Sequence, residues 1–162
     1  MEAGSLVIVD STELKVYGKD EWHQEKHDVP ARRTWRKLHL AIDENHQVPA
    51  CELTTPEVGD ATAVADLLAQ ITTTFDTFMG DGPYDGEPVS QAVLDKQADA
   101  QVIMPPHTTA VVSNAGDTQR DQHIQTIAQQ GRIAWQQKTE AWISTSALNR
   151  MTILGMSVSV KI

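Results

Sequence analysis

The apolar pattern begins with Leu6-Val7-Ile8-Val9, which runs without a polar break into Asp10-Ser11-Thr12. Such a run suits a strand covered on both faces, at the centre of a sheet. Glu13-Leu14-Lys15-Val16-Tyr17 then alternates polar and apolar, predicting a short strand or an extension of the first. Leu38, Leu40 and Ile42 fall on one face at period two, Glu44-Asn45-His46 reads as a turn, and Val48 to Thr54 reads as the return strand of a hairpin. The period changes at Gly59. Asp60 suits a helix N-cap, and Ala61, Val64, Leu67, Leu68 and Ile71 follow at helical spacing. Thr77 to Asp81 is a short apolar strand ending in an acid. Pro88 suits the first turn of a second helix with Val89, Ala92, Val93 and Leu94 inward. Gln101 to Met104 is a strand stopped by Pro105-Pro106. Thr118 to Gln130 is a third helix with Ile124, Ile127 and Ala128 inward and Gly131 as its stop. Three leading strands followed by alternating helix and strand predict an α/β domain, a mixed sheet with helices packed on it.

Composition narrows this picture in a few places. The 162 residues fit one domain, and 40% hydrophobic with 22% charged residues supplies an ordinary core. No apolar stretch reaches the length of a membrane span, and Met1-Glu2-Ala3-Gly4 lacks the basic start of a secretory signal. A single cysteine, Cys51, forms no internal disulfide and fits a reducing, cytoplasmic setting. It is expected to be a small buried residue. The net charge of −9 argues against non-specific nucleic-acid binding, yet four of the thirteen Lys and Arg crowd into Arg32-Arg33-Thr34-Trp35-Arg36-Lys37. The histidines give no metal-ligand pattern. His23 and His27 are four apart, but in a loop bounded by Gly18 and Pro30 rather than on a helix.

Chemistry enters with Asp10 and Asp81, each at the end of a short apolar strand. If those strands are parallel neighbours, the carboxylates lie side by side, and a divalent cation relieves their repulsion. Hard oxygen ligands suit Mg²⁺ or Mn²⁺, and two such ions activate a nucleophile and stabilise a leaving oxygen in phosphoryl displacement. Turn formation is the competing role for Gly80-Asp81-Gly82-Pro83-Tyr84-Asp85, and the more natural one for Asp85.

Four blocks resemble the core motifs of bacterial insertion-sequence transposases of the DDE type. They are Val9 to Gly18, Arg33 to Asp43, Glu52 to Thr55 and Gly80 to Asp85, in that order. The resemblance covers most of residues 5 to 138. It implies a ribonuclease-H-like fold, two divalent ions (Mg²⁺ or Mn²⁺), and strand cleavage and transfer at transposon ends. It makes Asp10 the first catalytic acid and Asp81 the second, both metal ligands. It places the block of Arg32, Arg33, Arg36 and Lys37 near the DNA backbone. DNA is the implied partner, together with a second copy or an intact transposase.

The resemblance fails at the family's third acid, a Glu within Tyr-x-x-Arg-x-x-x-Glu-x-x-x-x-x-x-Lys. No Tyr follows Tyr84, and the residue seven beyond Glu140 is Ala147 rather than Lys. Lys138 to Ile143 and Ala147 to Met156 instead resemble the extreme C-terminus of the same transposases. The expectation is a partial core over residues 5–137, incomplete at its C-terminal side, and a family tail over 138–162 joined after an internal deletion. The chain also starts almost at the first catalytic strand, without the N-terminal region implicated in DNA recognition. The predicted outcome is little or no transposition activity. Glu140 as a substitute acid, a non-catalytic fragment that competes with an intact transposase, and a decayed reading frame stay open as alternatives.

Overall fold

The computed structural model describes residues 5–16, 34–139 and 141. Five strands form one sheet in the spatial order β3-β2-β1-β4-β5, with β1 Leu6–Val16, β2 Thr34–Asp43, β3 Ala50–Thr54, β4 Thr77–Met79 and β5 Gln101–Ile103. The β1–β2 and β2–β3 pairs are antiparallel, whereas β1–β4 and β4–β5 are parallel. The expected extension of the first strand is continuous with it. The hairpin between β2 and β3 is built by Asp43, whose Oδ1 accepts from the Asn45 and Gln47 amides at 2.8 and 2.9 Å, while His46 takes a positive φ of 61°.

Strand pairing fixes two faces. Val7, Val9, Ala41, Ala50, Phe78 and Val102 are buried on one of them. Helix α1 (Asp60–Gln70) packs there through Ala63, Val64, Leu67 and Leu68, and α2 (Glu87–Lys96) adds Val89 and Val93. The buried positions of β2 are therefore His39 and Ala41, while Leu38, Leu40 and Ile42 point to the other face and are only half-buried. Leu6 and Ile8 are half-buried too, so the first strand is not sealed on both sides. Two alanines turn out opposite to expectation: Ala61 is exposed and Ala63 is buried in its place. Cys51 is exposed rather than buried, because in β3 it falls on the open face opposite Leu40.

Helix α3 (Gln119–Gln130) is set by its cap more than by its apolar stripe. Thr118 accepts from the Asp121 amide at 3.1 Å, and Asp121 returns a bond to the Thr118 amide at 3.3 Å, a reciprocal capping box. Asp121 also accepts from the Ser113 amide and hydroxyl at 2.7 and 2.6 Å, and these bonds hold its pKa down to about 2. Its side chain is closed off by the thin Ser113–Thr118 turn rather than sunk in the core. Ile124 and Ile127 are half-buried, and Ala128 is exposed, contrary to its expected inward position. The Gln119 side chain ties the helix to the edge strand: it accepts from the Val102 amide and donates to the Ala100 carbonyl, both at 2.9 Å. A Thr118→Ala variant should lose about 1 kcal/mol of stability, the usual worth of an N-cap, readable as a lowered urea midpoint. Gly131, at φ 86°, ends α3 as the sequence predicts, and residues 132–139 are helical again, a stretch the pattern did not disclose.

Candidate metal-binding carboxylate site

The parallel pairing of β1 and β4 aligns Leu6 with Thr77, Val7 with Phe78 and Ile8 with Met79. The pairing ends there, and Asp10 and Asp81 each follow two residues beyond the last pair, near enough for the charge of Asp10 to act on the Asp81 carboxyl. Asp10 is not at the end of its own strand, because β1 runs on to Val16 with Asp10 paired to Leu40. The edge is made by its neighbour: β4 stops at Met79, and Gly80 donates to the Ile103 carbonyl at 3.2 Å before the chain turns away. Asp81 then precedes a single 3₁₀ turn, Gly82–Tyr84, with its carbonyl accepting from the Tyr84 amide at 3.1 Å.

The electrostatics agree with that placement. The Asp81 carboxyl is pushed above the usual carboxylate range, first by partial withdrawal from water on its inner side, then by the negative charges of Asp10 and Asp60. A divalent ion is what such a carboxylate pair accommodates. Two hard oxygen donors, one within β1 and one just past the end of β4, fit Mg²⁺ or Mn²⁺ in kind. In number they fall short of a closed cage: among the described residues, no three His, Cys, Asp or Glu side chains are grouped to hold a metal ion.

The chain matches the family model of the transposase DDE domain over residues 2–160. It belongs to that family. The mixed five-stranded sheet with its helices is accordingly the ribonuclease-H-like arrangement, and DNA transposition, with binding to transposon ends and use of divalent ions, is the function of the family. No solved structure matches the chain.

In this DDE domain Asp85 does more than shape a turn. Arg120, in the first turn of α3, donates to it twice, Nε to Oδ1 at 2.7 Å and Nη2 to Oδ2 at 2.9 Å, and the His107 amide adds a bond at 3.0 Å. Burial alone would raise the Asp85 pKa, but the Arg120 and His107 hydrogen bonds outweigh it and hold the carboxyl below its ordinary value. The segment that follows Asp81 is thus bolted to a helix well separated in sequence.

The basic block divides between the two sheet faces. Arg36 pairs with Leu14 and shares the face of Asp10, whereas Lys37 points to the helix side, where its Nζ lies 2.9 Å from Asp60 Oδ1. Arg32, Arg33 and Glu140 lie outside the described residues, as do His23, His27 and the tail beyond Ala141. Among the described residues, no helix is long and apolar enough to cross a membrane.

The sequence reading missed a polar cluster next to the carboxylates. His39 is fully buried. Its Nε2 lies 2.9 Å from Thr54 Oγ1, and its Nδ1 3.5 Å from Asp60 Oδ1. Burial, opposed by Asp60, lowers the His39 pKa, so the ring is neutral at neutral pH. The Tyr84 hydroxyl is buried without a well-formed hydrogen bond, although the Ser11 hydroxyl is near enough to polarise it. Burial and the charges of Asp60, Asp10 and Asp81 push its pKa far up. The advance signs were His39 and Tyr84, within the Arg33 to Asp43 and Gly80 to Asp85 blocks, and Asp60 at the helix start. Asp60 is not the cap after all: Gly59 is, and Asp60 is the first residue of α1.

Proposed function

We propose that this chain is a DDE transposase core in which Asp10 and Asp81 are the first two catalytic acids, holding Mg²⁺ or Mn²⁺ at transposon ends, and that it is inactive in transposition because the third acid is missing. The observation that carries the reading is the parallel β1–β4 register, with the mutual repulsion it imposes on Asp81. When bound, the ion supplies a charge that activates a nucleophile and steadies a leaving oxygen in phosphoryl transfer. The protein's own contribution is to hold one carboxylate on β1 and the other just past the end of β4. Arg36, on the face of Asp10, and Arg32 and Arg33 near it in sequence supply positive charge for the DNA backbone, whereas Lys37, expected to join them, is paired with Asp60 on the helix side.

Two carboxylates leave the ion cage incomplete, and in-line geometry is then not enforced. The absence of the Tyr-Arg-Glu-Lys spacing after Tyr84 supports this, as does the tail's resemblance to family C-termini. The division that follows is a partial core over 5–137 and a tail over 138–162 joined after an internal deletion. A strand-transfer assay with cognate transposon ends and Mn²⁺ tests the reading. The expected result is DNA binding that weakens with salt and no joined product. Robust joined product overturns the inactivity. If residual nicking is seen and Glu140→Gln abolishes it, Glu140 is the substitute acid.

A further inference from the structure

The five-stranded sheet ends in β3 on one side and β5 on the other. Along β5 the backbone groups alternate in direction. The Gln101 amide donates to the Asp76 carbonyl at 2.8 Å, and the Ile103 carbonyl accepts from the Gly80 amide at 3.2 Å, both on the β4 side. The Ala100 carbonyl and the Val102 amide therefore face outward. One side chain meets both. Gln119 Oε1 accepts from the Val102 amide, and Gln119 Nε2 donates to the Ala100 carbonyl, each at 2.9 Å. A carboxamide carries the same donor and acceptor as a peptide group, so Gln119 bonds to β5 as a peptide group of a sixth strand would. At the other edge, Gln70 of α1 accepts from the Cys51 amide at 3.2 Å. Its Nε2, however, turns to the Glu52 carboxylate at 3.5 Å and the Asp66 carbonyl at 3.3 Å, not to a carbonyl of β3. The imitation of a strand is complete at β5 and partial at β3.

We propose that the β5 edge is a strand-pairing surface for a second copy of this chain, and that the Gln119 carboxamide keeps it closed. The edge is self-complementary. Val102 turns both its N–H and its C=O outward, so one residue offers a donor and an acceptor. Across a two-fold axis, Val102 of one copy set opposite Val102 of another exchanges both bonds, as an antiparallel pair does. Pro105 and Pro106 follow the strand and donate no amide, so the pairing is short. A short pairing is weak, and a group already held in place on the same chain competes well against a second molecule. Gln119 is held in that way. It is the first residue of α3, capped by Thr118 and Asp121, and its neighbour Arg120 is fixed to Asp85. The surface makes no use of Asp10 or Asp81 and stands whether or not they bind a metal.

Gln119→Ala, in the full chain, removes the carboxamide and leaves the α3 cap in place. In dilute solution the Val102 amide should exchange with deuterated solvent up to about tenfold faster than in the wild type, the worth of one hydrogen bond. As concentration rises, the mass measured by sedimentation should climb toward twice that of the wild-type particle, and the protection of Val102 should return with it. Gln119→Glu is the deciding control. It keeps an acceptor for the Val102 amide and loses the bond to the Ala100 carbonyl, as Gln119→Ala does. It also sets a negative charge on the edge, which opposes a second strand. Gln119→Glu should therefore hold the wild-type mass at concentrations where Gln119→Ala associates.

A wild-type mass for Gln119→Ala at every concentration overturns the proposal, whether or not Val102 exchanges faster. A rise in mass with no concentration dependence in Val102 protection overturns it as well, because the contact then lies elsewhere on the chain. Equal association of Gln119→Glu and Gln119→Ala has the same consequence, since a general loosening of α3 then accounts for both. Should Gln119→Ala lose its cooperative melt, Gln119→Met takes its place and is read in the same way. It keeps the length of the side chain without the carboxamide donor and acceptor.

Discussion

Replacing Arg120 with Ala is expected to cost about 3–5 kcal/mol of stability, the penalty for leaving one partner of a buried, hydrogen-bonded ion pair uncompensated. Asp85 is 3% exposed and Arg120 19%, and the pair is bidentate at 2.7 and 2.9 Å. For a chain of this size that corresponds to a fall in melting temperature of roughly 10 °C. The sign with pH follows from the depressed Asp85 pKa. A carboxyl whose folded pKa lies below its unfolded value contributes its stability in full above the unfolded value, and loses it as pH falls through the folded one. The gap between wild type and Arg120→Ala should therefore be widest near neutral pH and narrow in acid. A double variant, Asp85→Leu with Arg120→Met, should recover much of the loss, since removing both charges removes the desolvation cost as well. Equal melting temperatures for Arg120→Ala and wild type at pH 7 would show that the pair is an idle surface contact.

Asp85 also shows what the chain's pattern discloses and what it hides. The strands, the helices and the two acids Asp10 and Asp81 are legible because periodicity and the end of an apolar run are local properties, even though β1 runs on past Asp10. Which face of a strand the helices cover is not local. Leu38, Leu40 and Ile42 form the more apolar row, yet the row of His39 and Ala41 is buried, because α1 crosses on that side. A small side chain lets a helix approach closely, and the buried His39 keeps one nitrogen bonded, Nε2 to Thr54 Oγ1, while Nδ1 lies 3.5 Å from Asp60 Oδ1 without a hydrogen bond. Alanine is likewise mute about its direction, which is why Ala63 rather than Ala61, and neither Ala128 nor Cys51, is buried.

Ion pairs are the least legible of all. Lys37 reads as part of a basic run and Asp60 as a cap, and nothing in either neighbourhood announces that they meet. Asp85 and Arg120 are 35 residues apart, and their contact depends on the path of the chain through α2 and β5. The consequence for the site is practical. Asp81 stands out in the sequence because it follows a strand end, and Asp10 because it closes an apolar run, although its strand continues to Val16. The Lys37–Asp60 ion pair comes from long-range packing, and only a folded chain reveals it.

Gly80 is where packing and chemistry meet most tightly, and Gly80→Ala is expected to damage both. The residue lies between the end of β4 and Asp81. A Cβ built there would stand 3.0 Å from Tyr84 Cβ and Cγ and 3.1 Å from Cδ2. Tyr84 cannot yield, since it is 1% exposed and packed in the main core. Something must shift, and the softer partner is the backbone on either side of Gly80. Overpacking of this kind costs about 1–3 kcal/mol, and Gly80→Val should cost more. The displaced backbone carries Asp81, so the spacing of the two carboxylates changes with it. Metal sites tolerate errors of only about half an ångström in their supporting shell. Gly80→Ala should thus lower the melting temperature by several degrees, as a loss of this size does in a domain of this length, and weaken Mn²⁺ binding in the fraction that remains folded. Pairing it with Tyr84→Leu removes the obstructing ring, and should restore Mn²⁺ affinity more than it restores stability, because the smaller side chain leaves a void in the core. If Gly80→Ala melts and binds Mn²⁺ as the wild type does, Asp81 is not held by the contact between Gly80 and the Tyr84 ring, and its position must be set by the hydrogen bonds of the turn alone.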